Sequence, residues 1–229
     1  MEPTVHFGPE LFEFLTDLDQ HNSREWFQAN KERYRRDVQE PMLRFISDFA
    51  DPLAEISPRF TADPRPTGGS MFRIYRDVRF SKDKRPYKTH AAAQFRHHAG
   101  KDAHTPCFYL HLAPDEVFAG AGLWHPPGPA LHRIRTAIVE NPKAWSDVVA
   151  STTAHDLTLG GDSLKRAPRG FDPDHPLVED LKRKDFICSR RFTQNQATSA
   201  EFFELYAETC RFGSDLVRFI TEAVGHEFD

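Results

Sequence analysis

Apolar residues recur at a helical period at both ends of this 229-residue chain and alternate with polar ones in its middle, and that change of period limits the fold. Leu11, Phe12, Phe14, Leu15 and Leu18 put one stripe on a helix over residues 9–18. Asn22 stands three residues before Glu25, a capping-box spacing that predicts a second helix through Trp26, Phe27, Tyr34 and Val38. Pro41 should kink or restart it, because the ring blocks the preceding turn, and Leu43, Ile46, Phe49 and Leu53 give a further apolar face. Pro58, Pro64, Pro66, Gly68 and Gly69 make residues 57–69 a loop.

Beyond that loop the period becomes two. Phe72 and Ile74 alternate with Arg73 and Tyr75, and Phe108, Leu110 and Leu112 alternate with Tyr109 and His111. Residues 117–124 continue after the turn Pro114, Asp115, Glu116 and predict a hairpin with residues 108–112. Gly120 and Gly122 fall on that second strand, where they mark a twist or a closely packed helix. Leu131, Ile134 and Ile138 return to helical spacing until Pro142, and Trp145, Val148 and Val149 add a turn or two. Residues 170–176, GFDPDHP, read as a turn leading into a helix at Leu177, and residues 186–192 as a strand. Thr198, three residues before Glu201, predicts the start of a long terminal helix from Phe202 to Val224. Strands in the middle with helices at both ends predict an α+β fold with a mainly antiparallel sheet.

Charge is the clearest functional signal. Between residues 73 and 88 stand Arg73, Arg76, Arg79, Lys82, Lys84, Arg85 and Lys88 against Asp77 and Asp83, seven positive charges less two negative, whereas the whole chain carries -4. Like charges this close repel unless an anion or solvent screens them. Ser81 adds a hydroxyl donor, Phe72, Tyr75, Phe80 and Tyr87 are interleaved, and Pro86 stiffens the segment. A solvated edge that discourages strand pairing would need the same charges. Lys165, Arg166 and Arg169, and then residues 182–184, form further basic clusters.

Other signatures exclude common chemistries. Gly120-x-Gly122 lacks the third glycine of a dinucleotide loop, and no GxxxxGK[ST], HExxH or GxSxG occurs. No motif indicates a cofactor. Cys107, Cys188 and Cys210 are too widely spaced for a thiolate zinc site and read as reduced packing residues. Seven of the twelve histidines fall between His90 and His132 without a recognised ligand spacing, so no metal site is assigned. His111, sharing a strand face with Tyr109, is a candidate general acid or base. The start of the chain has no apolar leader and no stretch is apolar enough to span a bilayer, so a cytoplasmic protein without membrane contact is expected.

Three separated segments, FLTDLDQHNSREWF at 14–27, FRIYRDVRFSKDKRPYKTH at 72–90 and LKRAPRGFDPDHPLVEDLKRKDF at 164–186, resemble the domain-of-unknown-function 2461 family of bacteria and fungi. The resemblance runs from about residue 7 to 225 and implies one domain over 1–229. It implies no activity and no catalytic residue, but it marks both basic motifs as family signatures, and two such motifs would be expected to meet in space.

The first expectation is therefore a cationic cleft for a small phosphorylated or carboxylated ligand. It would be lined by Arg73, Arg76, Arg79, Ser81, Lys82, Lys84, Lys88, Lys165, Arg166 and Arg169, with Tyr75, Tyr87 and His111 as orienting or proton-transfer groups. Whether the cleft also catalyses a reaction is left open by the residues. The alternatives are a nucleic-acid-binding protein, disfavoured by a pI near 6.3, and a scaffold whose basic face docks an acidic protein.

Overall fold

The computed structural model describes residues 4–100 and 104–229. At the N-terminus, helices α1 (Pro9–Gln20), α2 (Arg24–Ala29), α3 (Lys31–Tyr34), α4 (Glu40–Asp48) and α5 (Ala50–Ile56) follow from the apolar stripe, every expected stripe residue of α1 being buried. One local reading is corrected here. The cap of α2 is Ser23, whose hydroxyl accepts from the Trp26 amide; the neighbouring Asn22 is engaged in a tertiary contact instead. As expected, the helix restarts at Pro41: α4 begins at Glu40 with the proline in its first turn, after a π turn over Arg35–Gln39 in which the Glu40 amide reaches back five residues to the Arg35 carbonyl. A widened turn absorbs the bond that the proline cannot donate.

A six-stranded antiparallel sheet follows, in the order β1-β2-β3-β4-β6-β5. Its strands are β1 (Phe60–Thr61), β2 (Ala91–His97), β3 (Cys107–Leu112), β4 (Val117–Leu123), β5 (Thr158–Gly160) and β6 (Phe186–Phe192). The β3–β4 hairpin and β6 lie where alternation places them. Residues 72–75 do not form a strand, contrary to expectation: at either end stand only isolated bridges, of Met71 with Ala93 and of Tyr75 with Tyr87. The strand in this region is β2, AAAQFRH, in which every residue but Arg96 is buried. A strand covered on both faces has no polar alternation to betray it.

Helices α6 (Gly128–Glu140) and α7 (Pro142–Ala154) join β4 to β5, α7 being longer than the one or two turns expected. A short α8 (Val178–Leu181) follows the GFDPDHP turn. Near the end the capping box belongs to Thr193 and Gln196 of α9 (Gln194–Ala197), not to Thr198, and α10 (Phe202–Ala223) starts without a side-chain cap. Burial stabilises α10 instead: Tyr206, Leu216, Val217 and Ile220 are fully buried.

Register fixes the two faces of the sheet. Phe95, Phe108, Ala121 and Cys188 stand in one cross-strand row and face the helices. Phe49 packs 4.8 Å from Phe95 and 4.9 Å from Tyr206, and Gly213 brings α10 close to the Ala121 methyl group. The opposite rows, Gln94, Tyr109, Gly120, Ser189 and Ala92, His111, Phe118, Arg191, form the outer face. Among the described residues, no helix is long and apolar enough to cross a membrane.

Candidate functional site

The basic segment lies along β2 at one edge of the sheet. The Phe72 amide donates to the Ala92 carbonyl at 2.9 Å and the Gln94 amide to the Ser70 carbonyl at 2.9 Å. From there the chain makes a hairpin-like excursion, closed by the Arg76 amide on the Pro86 carbonyl at 2.9 Å and the Lys88 amide on the Ile74 carbonyl at 2.8 Å. Asn22 clasps its returning arm: the side-chain amide donates to the Tyr87 carbonyl and its oxygen accepts from the Tyr87 amide, each at 3.1 Å. Tyr87 is buried and stacks on Phe27 at 4.1 Å, so it anchors the segment and does not face a ligand. Tyr75 is half-exposed beside it, ring centroids 5.4 Å apart.

Most of the expected cations are engaged within the loop. Arg76 pairs with Asp83 at 2.7 Å, Arg79 with Asp77 at 2.7 Å, and Arg85 with both Asp83 at 3.0 Å and Asp19 of α1 at 2.6 Å. The hydrogen bond from Arg79 holds the Asp77 carboxyl down to about 2. Lys84 donates to the Val78 carbonyl at 3.0 Å. These contacts brace the excursion. Among the described residues, Arg73, Lys82 and Lys88 have no carboxylate within ion-pair distance, although the charge of Arg73 also acts on Asp77, and Ser81 is half-buried with no hydrogen bond. Phe80, at the tip, is 95% exposed.

Lys88 is the exceptional cation. It is half-buried, with its ammonium 5.0 Å from the Phe72 ring centre, and burial followed by the charge of Arg73 pushes its pKa down. It points the segment toward the outer face of the sheet, where Phe72 meets Tyr109 edge-on at 6.2 Å. There the Tyr109 hydroxyl lies 3.1 Å from His111 Nδ1, and His111 is flanked by His90 at 4.5 Å and by Phe118 stacked at 4.8 Å. Burial raises Tyr109 to about 12 and lowers His111, partly offset by Asp115. Burial, then the charges of His111 and Lys88, brings His90 down to about 4. All of these side chains are half-buried, so the cluster is partly open to solvent. His90 and Phe118 were not foreseen as site residues; the alternation that exposed His111 also pairs it with Phe118, but only the fold brings His90 against it.

A pH dependence of stability follows. The folded state keeps His90 neutral between about 4 and its ordinary value of 6.5, whereas the unfolded chain takes up a proton there. The unfolded state therefore binds more protons as pH falls through this window, and stability present above pH 6.5 is lost toward pH 4. His97 and His111, also lowered, act in the same direction. Urea titrations should show stability falling by on the order of 2–3 kcal/mol between pH 7 and 4.5, with a shallower slope in His90→Gln; an unchanged slope would count against a buried neutral His90.

The second basic motif is not brought to this cluster. Lys165, Arg166 and Arg169 are exposed on the stretch that bridges to Arg183 through Ser163 and packs Phe171 on His132 of α6. Residues 70–72 continue the β1 edge of the sheet, and residues 162–164 flank the approach to β6 at the other. The two edges are five strand spacings apart, roughly 24 Å.

Among the described residues, no group of three or more His, Cys, Asp or Glu could hold a metal ion. The three cysteines are free thiols, with Cys188 and Cys210 buried, and burial pushes Cys188 up to about 12. In comparisons with known proteins, a family described as "Conserved hypothetical protein (DUF2461)" matches residues 10–219. No curated protein matches the chain.

Proposed function

Because the chain belongs to the DUF2461 family, whose description assigns no chemistry, we propose from its side chains alone that the outer sheet face binds a small phosphorylated or carboxylated anion. Lys88 carries this reading. A half-buried ammonium without a carboxylate partner, next to Arg73, loses hydration without gaining a counter-ion. An anion seated between Lys88 and Arg73 would replace the lost solvation of one and screen the repulsion between both. His90, His111 and Tyr109 supply hydrogen-bonding groups at the floor, and Phe72 and Phe118 flank them. Lys82, Lys84, Arg76 and Arg79 contribute positive field from the braced rim. Lys165, Arg166 and Arg169 belong to a separate surface in this reading.

Lys88→Met separates function from stability. Methionine keeps the packing on Phe72 and removes the desolvated charge, so the variant should melt at or above the wild-type temperature. Wild-type protein should be stabilised by inorganic pyrophosphate or citrate, by about 2.7 kcal/mol at a hundred times the dissociation constant, and Lys88→Met should lose the shift. No stabilisation by either anion, or a shift that survives the substitution, would overturn the assignment.

Single-stranded nucleic acid is the second reading, favoured by the exposed Phe80 with the Arg79 guanidinium 5.8 Å from its ring centre. A short oligonucleotide in the same screen distinguishes it. Binding through phosphates would weaken by roughly 0.7 log units per phosphate for each log unit of salt, and would be lost in Phe80→Ala.

A further inference from the structure

Far along the chain from this cluster, the turn that ends β4 holds a second constellation. Asp185, just before β6, is 1% exposed, and its carboxylate accepts from three donors. One oxygen takes the His125 amide at 2.7 Å and stands 3.0 Å from His125 Nδ1; the other takes the Asp162 amide at 2.9 Å. Gly161 makes the cradle possible, since a Cβ there would fall 2.4 Å from the Asp185 Cβ. His125 itself adopts a left-handed backbone, φ 49°, uncommon outside glycine, and the double contact with Asp185 holds it there. The imidazole stacks on the half-exposed Trp124 at 3.9 Å, and His104 lies over the same indole at 6.1 Å.

A carboxylate only accepts hydrogen bonds, so Nδ1 carries a proton, and in the neutral ring Nε2 presents a lone pair. The His125 side chain is 50% exposed, and Nε2 has no partner among the described residues. A strained turn, a buried carboxylate and a stacked indole thus fix one imidazole with its basic nitrogen outward. A structural pin would not need that ring to be half open.

We propose that His125 is an acyl-accepting nucleophile, positioned by Asp185, for neutral ester or thioester donors. Charge selects this class over phosphoryl donors. The carboxylate of Asp185 touches the ring, and the neighbouring Lys184 lies 3.7 Å from the Asp162 carboxylate, so the charge in contact with the imidazole is negative and disfavours a phosphate. In the reaction with an ester, the Nε2 lone pair forms the N–C bond at the carbonyl carbon. The C–O bond breaks, and its electrons leave with the alkoxide. Nδ1 keeps its proton, and Asp185 balances the positive charge of the acyl-imidazolium. Water then adds to the acyl carbon, and the N–C pair returns to Nε2. One water proton remains on the acid and the other ends on the alkoxide, so ester and water give acid and alcohol.

The test is the hydrolysis of p-nitrophenyl acetate by the full chain, read as p-nitrophenolate release. His125→Asn is the informative variant, because asparagine tolerates the left-handed backbone and is not a nucleophile. Its rate constant should fall roughly tenfold, leaving the slow background of the other histidines. Asp185→Asn should fall comparably, but its amide would face the Asp162 N–H and could unfold the turn. The wild-type tautomer, read by nitrogen-15 NMR, therefore gives an independent check: His125 must be protonated on Nδ1. An ester rate unchanged in His125→Asn, or a proton found on Nε2, overturns the proposal.

Discussion

Tyr87→Ala is expected to lower the unfolding free energy by about 3–5 kcal/mol and to abolish the anion-induced thermal shift together with it. The ring is 2% exposed and stacked on Phe27, so truncation leaves an aromatic-sized void between α2 and the basic segment. Its backbone is what Asn22 holds, and a strand arm whose side chain no longer packs will leave that clasp. For a chain of this length the loss corresponds to a melting temperature lower by roughly 10 °C. Tyr75→Ala is the control: half-exposed and, among the described residues, without a side-chain hydrogen bond, it should change stability by less than about 1 kcal/mol. If denaturation curves put Tyr87→Ala within 1 kcal/mol of wild type, Tyr87 is not the anchor of the segment.

Gly122→Ala is expected to cost about 3–5 kcal/mol, whereas Gly120→Ala, two residues away, should be close to neutral. At Gly122, φ is 125°, and a Cβ would lie 2.1 Å from the Phe186 carbonyl oxygen and 2.9 Å from the Ile187 Cα. Both obstacles are backbone, so the clash can be relieved only by separating β4 from β6. At Gly120 the nearest atom would be 3.7 Å away, ordinary contact, and alanine restricts the unfolded chain. Separating the strands at Gly122 also parts the ends that carry His125 and Asp185. The Gly122→Ala protein should therefore lose the Nδ1-protonated tautomer of His125, visible in the same NMR spectrum, before it unfolds. Equal stability of the two variants would show that the β4–β6 contact is not tight.

How much of this was legible depends on whether the signal was local. Residues 108–112, 117–123 and 186–192 lie in strands with one face against the helices, and their alternation shows it; β2, buried on both faces and rich in alanine, carries no such pattern. Asn22 and Ser23 are both good caps, and the sequence does not say which one a tertiary contact will claim. At residues 72–75 the alternation is present, but the isolated bridges of Met71 and Tyr75 stop short of a ladder. The charge of the basic segment was plain, yet its pairing was not: Arg76 meets Asp83 seven residues on and Arg85 meets Asp19 sixty-six residues back, while the half-buried Lys88 is left without a carboxylate within ion-pair distance. His125 passed as one histidine among seven because its partner stands sixty residues away.

By itself, then, the sequence determined the period of the elements with one exposed face, the α+β order of the chain and the place where positive charge accumulates, since each is set by neighbours within a few residues. Only the tertiary structure decided which cations stay unpaired, that the two basic motifs occupy opposite edges of the sheet, and that His90 meets His111 and Asp185 meets His125. Desolvation and ion pairing act over a few ångströms of space, and chain closure, not sequence distance, determines which groups come within that range.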